Sequence, residues 1–432
     1  MRILVIGQCT LHWGRMEYGN IGNYYIIEPF FRELHRVFPN SDIVTTFQMT
    51  DKFCNNENVT CLPMDLYYGW TTNDLIIAKN ELDIATKFSI TGILDDTTDY
   101  INEVLKSNLI IDFSGDIWGK NADFLGEDRF LVGLYKDRTA QLLGKKTAML
   151  AGSPGPFNKD DTFELARLVY KSFDIITNRE AVSRVILLEL GFDLSKTHDL
   201  ACPAFMFEPS KTEDIIQFIE NTPLLNDSKP TVGFILCGWN MLTPSFDKWP
   251  REDYEFTNFI ELIKFIVKSF DVNICLMSHS NGFDLPPNFK QKHGRDFLFA
   301  EKLMSLIQKT EIKDSVFILD GVYSPAETKA IIGQFDMLIS GRVHAAVAGL
   351  SQAVPTVIID YGHEPKAHKL IGFARVAGVE DYVANPSSFN DLVSITTECW
   401  TNRIQINNDL KISQKKVVEL GKMNFDLLVD II

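Results

Sequence analysis

Met337-Leu338-Ile339-Ser340-Gly341-Arg342-Val343-His344-Ala345-Ala346 reads as the end of a strand, a turn and the start of a helix. The run up to Ile339 is apolar throughout rather than alternating, as a strand covered on both faces requires. Ser340-Gly341 breaks it, and an Ala-rich helical stretch follows. The same unit recurs along the chain. Ile3–Gly7, Ile43–Phe47, Leu109–Phe113, Thr147–Leu150 and Ile175–Thr177 are similar runs in the first half. Val232–Cys237, Asn273–Met277, Val316–Leu319 and Thr356–Ile359 join Met337–Ile339 in the second. Helical patterns lie between them. Thr177-x-x-Glu180 predicts a capping box for a helix ending at Gly191, and Ser324-Pro325-x-Glu327 predicts another helix start. Phe256–Phe270 places apolar residues three to four apart. Strand alternating with helix predicts an α/β fold with parallel sheets and helices on both faces.

Glu208–Lys229 carries Pro209, Pro223 and no strand pattern. It divides the chain into two Rossmann-like halves, 1–207 and 231–400, joined by a linker at 208–230. Residues 401–432 form a last helical segment, amphipathic over Ile412–Ile432, that could pack back on the N-terminal half.

Composition bounds the function. The 432 residues are 45% hydrophobic and 23% charged, which excludes disordered and collagen-like chains. Lys and Arg number 42 against 57 Asp and Glu, a formal charge of −15. That argues against wrapping nucleic acid or lying on anionic lipid, but not against a small anion in a locally basic pocket. No apolar stretch is long enough for an integral membrane segment, and Ile3–Ile6 is too short for a signal core. Seven scattered cysteines without Cys-x-x-Cys predict reduced, buried thiols and a cytoplasmic location. Neither a Gly-x-Gly-x-x-Gly after the first strand nor a P-loop is present. His363 and His368 are five apart with Pro365 between them, a spacing that puts no metal pair on one helix face. No metal or cofactor is called for.

In doubly wound folds ligands sit beyond the carboxyl ends of the strands. The residues following each strand are therefore the candidates. Gly19-Asn20-Ile21-Gly22-Asn23 exposes backbone N–H groups at a helix start, for an anion or a sugar hydroxyl, or is a tight loop with Asn capping. Ser114-Gly115-Asp116 offers a carboxylate as base or hydroxyl-orienting group, or an Asx-turn. Gly152-Ser153-Pro154-Gly155-Pro156-Phe157 is a rigid loop at the same edge. Arg179 is expected in the first turn of a helix, where the dipole disfavours a cation unless an anion binds; the alternative is pairing with Glu180 or Asp174. Arg342 can hold a carboxylate or phosphate through its planar fork, and His344 can move a proton near neutral pH. The bland alternative is a core histidine beside a surface arginine. His279 and Lys369 are weaker candidates, readable as a loop histidine and a solvated lysine.

The order of these motifs resembles the polysaccharide pyruvyl transferase family. The matching pieces are Gly19-Asn20-x-Gly22-Asn23, Ser114-Gly115-Asp116, Gly155-Pro156-Phe157, Arg179-Glu180-Ala181-Val182-Ser183, Leu188-x-x-Gly191, Pro203-Ala204-Phe205, Ser340-Gly341-Arg342-x-His344-Ala345 and Lys369-x-x-Gly372-Phe373. The resemblance implies a GT-B-like fold, two Rossmann-like domains whose parallel sheets face a central cleft. It implies phosphoenolpyruvate as donor and a sugar of a cell-surface glycan, or its lipid- or nucleotide-linked precursor, as acceptor. The product is a cyclic pyruvate ketal on two hydroxyls, with release of phosphate. His344 is then the catalytic acid/base, with Asp116 taking a hydroxyl proton. Arg179, Arg342, Lys369 and His279 would bind the donor, and Asn20, Asn23 and Ser114 the acceptor. The N-terminal half would hold the acceptor side and Arg179, and the C-terminal half the donor side. A GT-B glycosyltransferase using a nucleotide sugar, or a non-catalytic glycan- or anion-binding relative, stays open, as does assembly into a homo-oligomer.

Overall fold

The computed structural model describes residues 1–158, 161–220, 222, 229–361 and 368–432. Most of the linker from 221 to 228 and the His363 end of the His363/His368 spacing lie outside the described residues. The chain folds into two compact units. One comprises Met1–Met16, Ile27–Pro203 and Glu419–Ile432; the other comprises Glu17–Ile26 and Ala204–Val418. Sequence order puts Glu17–Ile26 in the first half, yet it packs as part of the second unit. The final helix, Arg403–Asp426, is likewise shared. Early in it, Asn407 and Gln414 donate to the Ala353 and Ser351 carbonyls at 2.6 and 2.9 Å. At its end Asn424 donates to the Ala201 carbonyl at 2.9 Å.

The first unit is built on seven parallel strands: β1 Arg2–Ile6, β2 Asp42–Thr45, β3 Val59–Cys61, β4 Leu109–Asp112, β5 Lys146–Gly152, β6 Ile175–Asn178 and β7 Thr197–Asp199. Their order is β3-β2-β1-β4-β5-β6-β7. The direction of winding reverses between β1 and β4, the usual ligand position in such sheets. The central strands are buried end to end, which explains their unbroken apolar runs.

The second unit holds β8 Thr231–Ile235 and β9 Asn273–Leu276, then an antiparallel hairpin of β10 Asn281–Asp284 and β11 Lys290–His293. β12 Val316–Ile318, β13 Met337–Ser340, β14 Thr356–Ile359 and β15 Val383–Ala384 complete it. The main sheet is parallel, in the order β12-β9-β8-β13-β14-β15. All ten predicted strands exist. The five that sequence reading missed are β3, β7, β15 and the β10–β11 hairpin. They are edge or two-stranded elements of two to four residues, too short and too polar to register as apolar runs.

Two local expectations are corrected. Thr177 is not a helix cap: it lies in β6, and its hydroxyl accepts the Ala151 N–H at 2.8 Å. The helix is Val182–Glu189, and Glu180 alone caps it, accepting the Val182 and Ser183 N–H groups at 2.7 and 3.0 Å. A carboxylate two residues ahead of the helix both fills the orphan donors and suits the dipole. Buried thiols were expected throughout, but Cys9, Cys54 and Cys61 are only partly buried, and the Cys54 and Cys61 sulfurs lie 3.3 Å apart. Among the described residues no helix is long and apolar enough to cross a membrane.

Candidate functional site

In the first unit the site begins where β1 and β4 end. Gly7 has φ +130°, and a Cβ there would lie 2.8 Å from the Phe113 backbone, so only glycine allows the two strand ends to approach this closely. The Gln8 N–H then donates to the Ser114 hydroxyl at 2.9 Å. Ser114 is fully buried, and this bond makes it a tie between the two strand ends.

Three neighbouring strands deliver one cluster. β4 leads to Gly115 and Asp116, β5 to Gly152 and Ser153, and β6 to Arg179. The Arg179 N–H donates to the Gly152 carbonyl and its Nε to the Ser153 hydroxyl, at 2.9 and 3.0 Å. Its Nη2 lies 3.6 Å from Asp116 Oδ1. The Arg179 side chain is 2% exposed and that of Asp116 is 29% exposed, so the cation sits inside and the carboxylate at the rim. Arg179 stands in the turn ahead of helix Val182–Glu189 rather than in its first turn. Its alternative partners are engaged elsewhere: Glu180 caps the helix, and Asp174 accepts from the Thr147 N–H and from Lys146.

Beneath these loops two buried carboxylates influence each other. Burial pushes Asp112 up to about 7, against the pull of Ser114, and burial together with Asp112 raises Asp137. Trp118 donates weakly to Asp137 at 3.4 Å. Neither carboxylate had a sequence signal, since Asp112 ends an apolar strand and Asp137 lies in a helix.

In the second unit the Gly-Asn segment, where helix Ile21–Val37 begins, meets the predicted histidine. Asn20 forms an isolated antiparallel bridge with Ser280, and the Asn281 N–H donates to the Gly19 carbonyl at 2.9 Å. The Asn20 side chain accepts the Gly22 N–H at 3.2 Å, and the Asn23 N–H donates to the Asn20 carbonyl at 2.9 Å. Gly22 faces His344: a Cβ on Gly22 would stand 2.5 Å from His344 Cβ and 2.6 Å from Nδ1. The imidazole therefore rests against bare backbone. Phe373 meets it edge to face at 5.8 Å. His344 lies in the first turn of helix Val343–Leu350, for which Arg342 is the N-cap.

Arg342 is already forked. Its Nε and Nη2 donate to the two carboxylate oxygens of Asp296 at 2.9 and 2.6 Å. Burial opposes the charge, but the Asp296 carboxylate outweighs it and holds Arg342 far above the usual arginine range. Asp296 is itself buried, and its N–H donates to the Ser280 hydroxyl at 3.0 Å. The bidentate edge foreseen for a ligand is thus taken by a protein carboxylate. Lys369 is largely buried, 5.8 Å above the Tyr361 ring. His279 is fully buried and packs edge to face on Tyr25 at 5.3 Å. Burial and the Arg342 charge push it down to about 3, so it is a neutral group.

Asn240 was missed by sequence reasoning. Fully buried after β8, it accepts the Cys237 N–H at 2.9 Å and donates to the Gly341 and Ile359 carbonyls at 3.2 and 3.3 Å. It buckles the ends of β8, β13 and β14. A Cβ on Gly341 would strike its Oδ1 at 1.9 Å, which is why Gly precedes Arg342. Its sequence signal was an asparagine just past a buried strand; Asp296, distant from Arg342 in sequence, had none.

The polysaccharide pyruvyl transferase family model matches residues 20–363. The chain is 22% identical over 402 residues to the amylovoran biosynthesis protein AmsJ of Erwinia amylovora, covering 90% of this chain and 89% of that protein. Among solved structures it resembles a glycosyltransferase from Rickettsia africae, at TM-score 0.57 and 11% identity over 98% of both chains. It also resembles HepE from Anabaena in complex with UDP, at TM-score 0.57 and 11% identity over 100% of this chain and 98% of that one. These structural likenesses establish a GT-B-like α/β fold of two Rossmann-like units. The extent of the family match, running from the Gly-Asn loop through the Gly341-Arg342-x-His344 turn, shows that the chain belongs to the polysaccharide pyruvyl transferase family.

Proposed function

We propose that the protein transfers the enolpyruvyl group of phosphoenolpyruvate onto two hydroxyls of a glycan sugar, or of its lipid- or nucleotide-linked precursor, giving a cyclic pyruvate ketal and phosphate. The observation that carries this reading is His344, seated against Gly22 in the first turn of a helix whose cap is the partly buried, charged Arg342. The donor is a small, highly charged anion and calls for fixed cations. Arg179, Arg342 and Lys369 supply them, and the start of helix Val343–Leu350 adds N–H donors.

His344 in its protonated form delivers a proton to the donor's methylene carbon, leaving an oxocarbenium-like centre. One acceptor hydroxyl forms a C–O bond there and returns its proton to the imidazole or to Asp116. The C–O bond to phosphate then breaks, and the second hydroxyl closes the ring. Its proton leaves with the phosphate. Arg179 and Arg342 stabilise the carboxylate and the departing phosphate. Asn20 and Asn23 flank Gly22, the residue against His344, and serve as hydroxyl partners for the acceptor.

The test is phosphate release from phosphoenolpyruvate across a panel of sugar acceptors. His344→Ala and His344→Asn should abolish it while leaving the fold intact by circular dichroism. Wild-type turnover in His344→Ala would remove the assigned role. Thermal stabilisation by UDP and not by phosphoenolpyruvate would instead favour nucleotide-sugar chemistry.

A further inference from the structure

Trp70 is 37% exposed and has φ +59°, a left-handed backbone that costs a bulky residue energy. It follows β3, in a loop on the same carboxyl edge of the first unit's sheet as Asp116 and Arg179. The strain is enforced from both sides. The buried Asp74 carboxylate accepts the Gly69 N–H at 3.0 Å and the Thr71 N–H and hydroxyl at 2.8 and 3.2 Å. A strained, clamped and exposed tryptophan is a feature that surrounding structure maintains for use.

Its neighbours make it a platform. The exposed His12, from the loop after β1, stacks on the indole at 4.6 Å and 23°. Tyr68 meets the indole edge on at 5.5 Å. Arg129 is wholly buried, with its guanidinium 4.6 Å from the Tyr68 ring centre and 5.1 Å from that of Trp70. Arg129 Nη2 donates to the Gln8 carbonyl at 2.9 Å and to the Thr10 carbonyl, pinning the His12 loop. Gln8 joins platform and cluster: its carbonyl accepts from Arg129 and its N–H donates to Ser114, two residues before Asp116, so both stand at the β1 strand end, beside the point where the winding reverses.

We propose that His12, backed by Trp70, forms the acceptor shelf of this unit, the outer face of its exposed imidazole and the exposed edge of the indole taking the C–H face of a pyranose ring while Asp116 addresses its hydroxyls. This rests on the reading that the acceptor is a sugar. A pyranose presents one face of axial C–H groups, which packs on a flat aromatic surface and leaves its equatorial hydroxyls free. Asp74 and Arg129 are positioning residues that hold the shelf without touching the sugar.

The experiment measures binding of methyl glycosides of glucose, galactose, mannose and N-acetylglucosamine to the full chain by saturation-transfer NMR and calorimetry. Phosphoenolpyruvate-dependent phosphate release is measured in parallel. Trp70→Ala and Trp70→Gly should weaken sugar binding by about tenfold or more, the scale of one lost stacked ring. Trp70→Phe should recover most of it, and thermal stabilisation by phosphoenolpyruvate should be unchanged in all three. Trp70→Gly should melt higher than Trp70→Ala, because glycine adopts this backbone without strain. Sugar binding that survives Trp70→Ala, or no binding of any glycoside to the wild type, overturns the shelf. Sugar binding lost in Trp70→Ala, with no phosphate release from the wild type on any acceptor, leaves the shelf standing and overturns the proposed reaction. Phosphate release with an acceptor KM untouched by Trp70→Ala does the reverse.

Discussion

Gly22→Ala adds one methyl group and should disable the proposed chemistry more than it unfolds the protein. The new Cβ would lie 2.5 Å from His344 Cβ, 2.7 Å from Cγ and 2.6 Å from Nδ1. Carbon atoms pack at about 3.5–4.0 Å, so the shortfall is about 1 Å or more. His344 cannot yield by rotating its ring, because the first atom struck is its own Cβ, fixed to the backbone of helix Val343–Leu350. Gly22 cannot yield freely either, since it lies in the first turn of helix Ile21–Val37, and just ahead of that helix Asn20 is bridged to Ser280 and Gly19 accepts from the Asn281 N–H. One of the two must shift, at the cost of about 1–3 kcal/mol typical of overpacking. In a unit of this size that is a fall in melting temperature of several degrees. If His344 transfers a proton to carbon as proposed, a displacement of about 1 Å should lower kcat by about a hundredfold. The assay is phosphate release under saturating donor, with phosphoenolpyruvate binding followed by calorimetry and folding by thermal denaturation. Donor affinity should change far less than kcat, because in the proposed reaction the donor's charge is held by arginines. A Gly22→Ala protein with wild-type kcat would refute the reasoning, since it would mean that His344 does not need this position.

Asp296→Ala leaves the partly buried Arg342 guanidinium without its carboxylate and should cost about 2–4 kcal/mol in chemical denaturation, whereas removing an exposed pair such as Lys268–Glu311 should cost almost nothing. Arg179→Lys keeps the charge but loses the fork that reaches both Ser153 and Asp116, so the KM for phosphoenolpyruvate should rise by about tenfold or more in steady-state kinetics. His279 titrates at about 3 when folded against about 6.5 when unfolded, so the unfolded chain takes up the extra proton between these values and stability falls as pH drops below about 6.5. Asp112, raised to about 7, works in the opposite direction, so the clean measurement is a difference. Well inside that window, wild-type stability should fall more steeply than that of His279→Gln by about 1.4 kcal/mol per pH unit, and parallel curves from urea melts would contradict the buried neutral imidazole.

The architecture was legible because buried parallel strands write themselves as short, continuous apolar runs. Every such run became a strand, and the edge strands that carry no run were missed. Arg179, Arg342 and His344 were legible for a related reason. Each follows a buried strand, and in this class of fold the residues just past a strand reach its carboxyl edge. The sequence did not show what those groups touch. Thr177 and Glu180 had the spacing of a capping box, yet Thr177 was claimed by the sheet, whose ladder outweighs a cap. The Arg342 fork looked open until Asp296 arrived from a helix far earlier in the chain.

Local pattern by itself therefore determined the α/β class, the alternation of strand and helix, and which residues stand at strand ends. Those depend on burial and backbone geometry within a few neighbouring residues. Tertiary structure alone decided the partners. It seated His344 on Gly22, closed Arg342 on Asp296, neutralised His279 by burial and pinned Trp70 in a strained turn. Packing distances, desolvation and ion pairing are set by atoms that meet across tens to hundreds of residues, and no periodicity in the chain records those meetings.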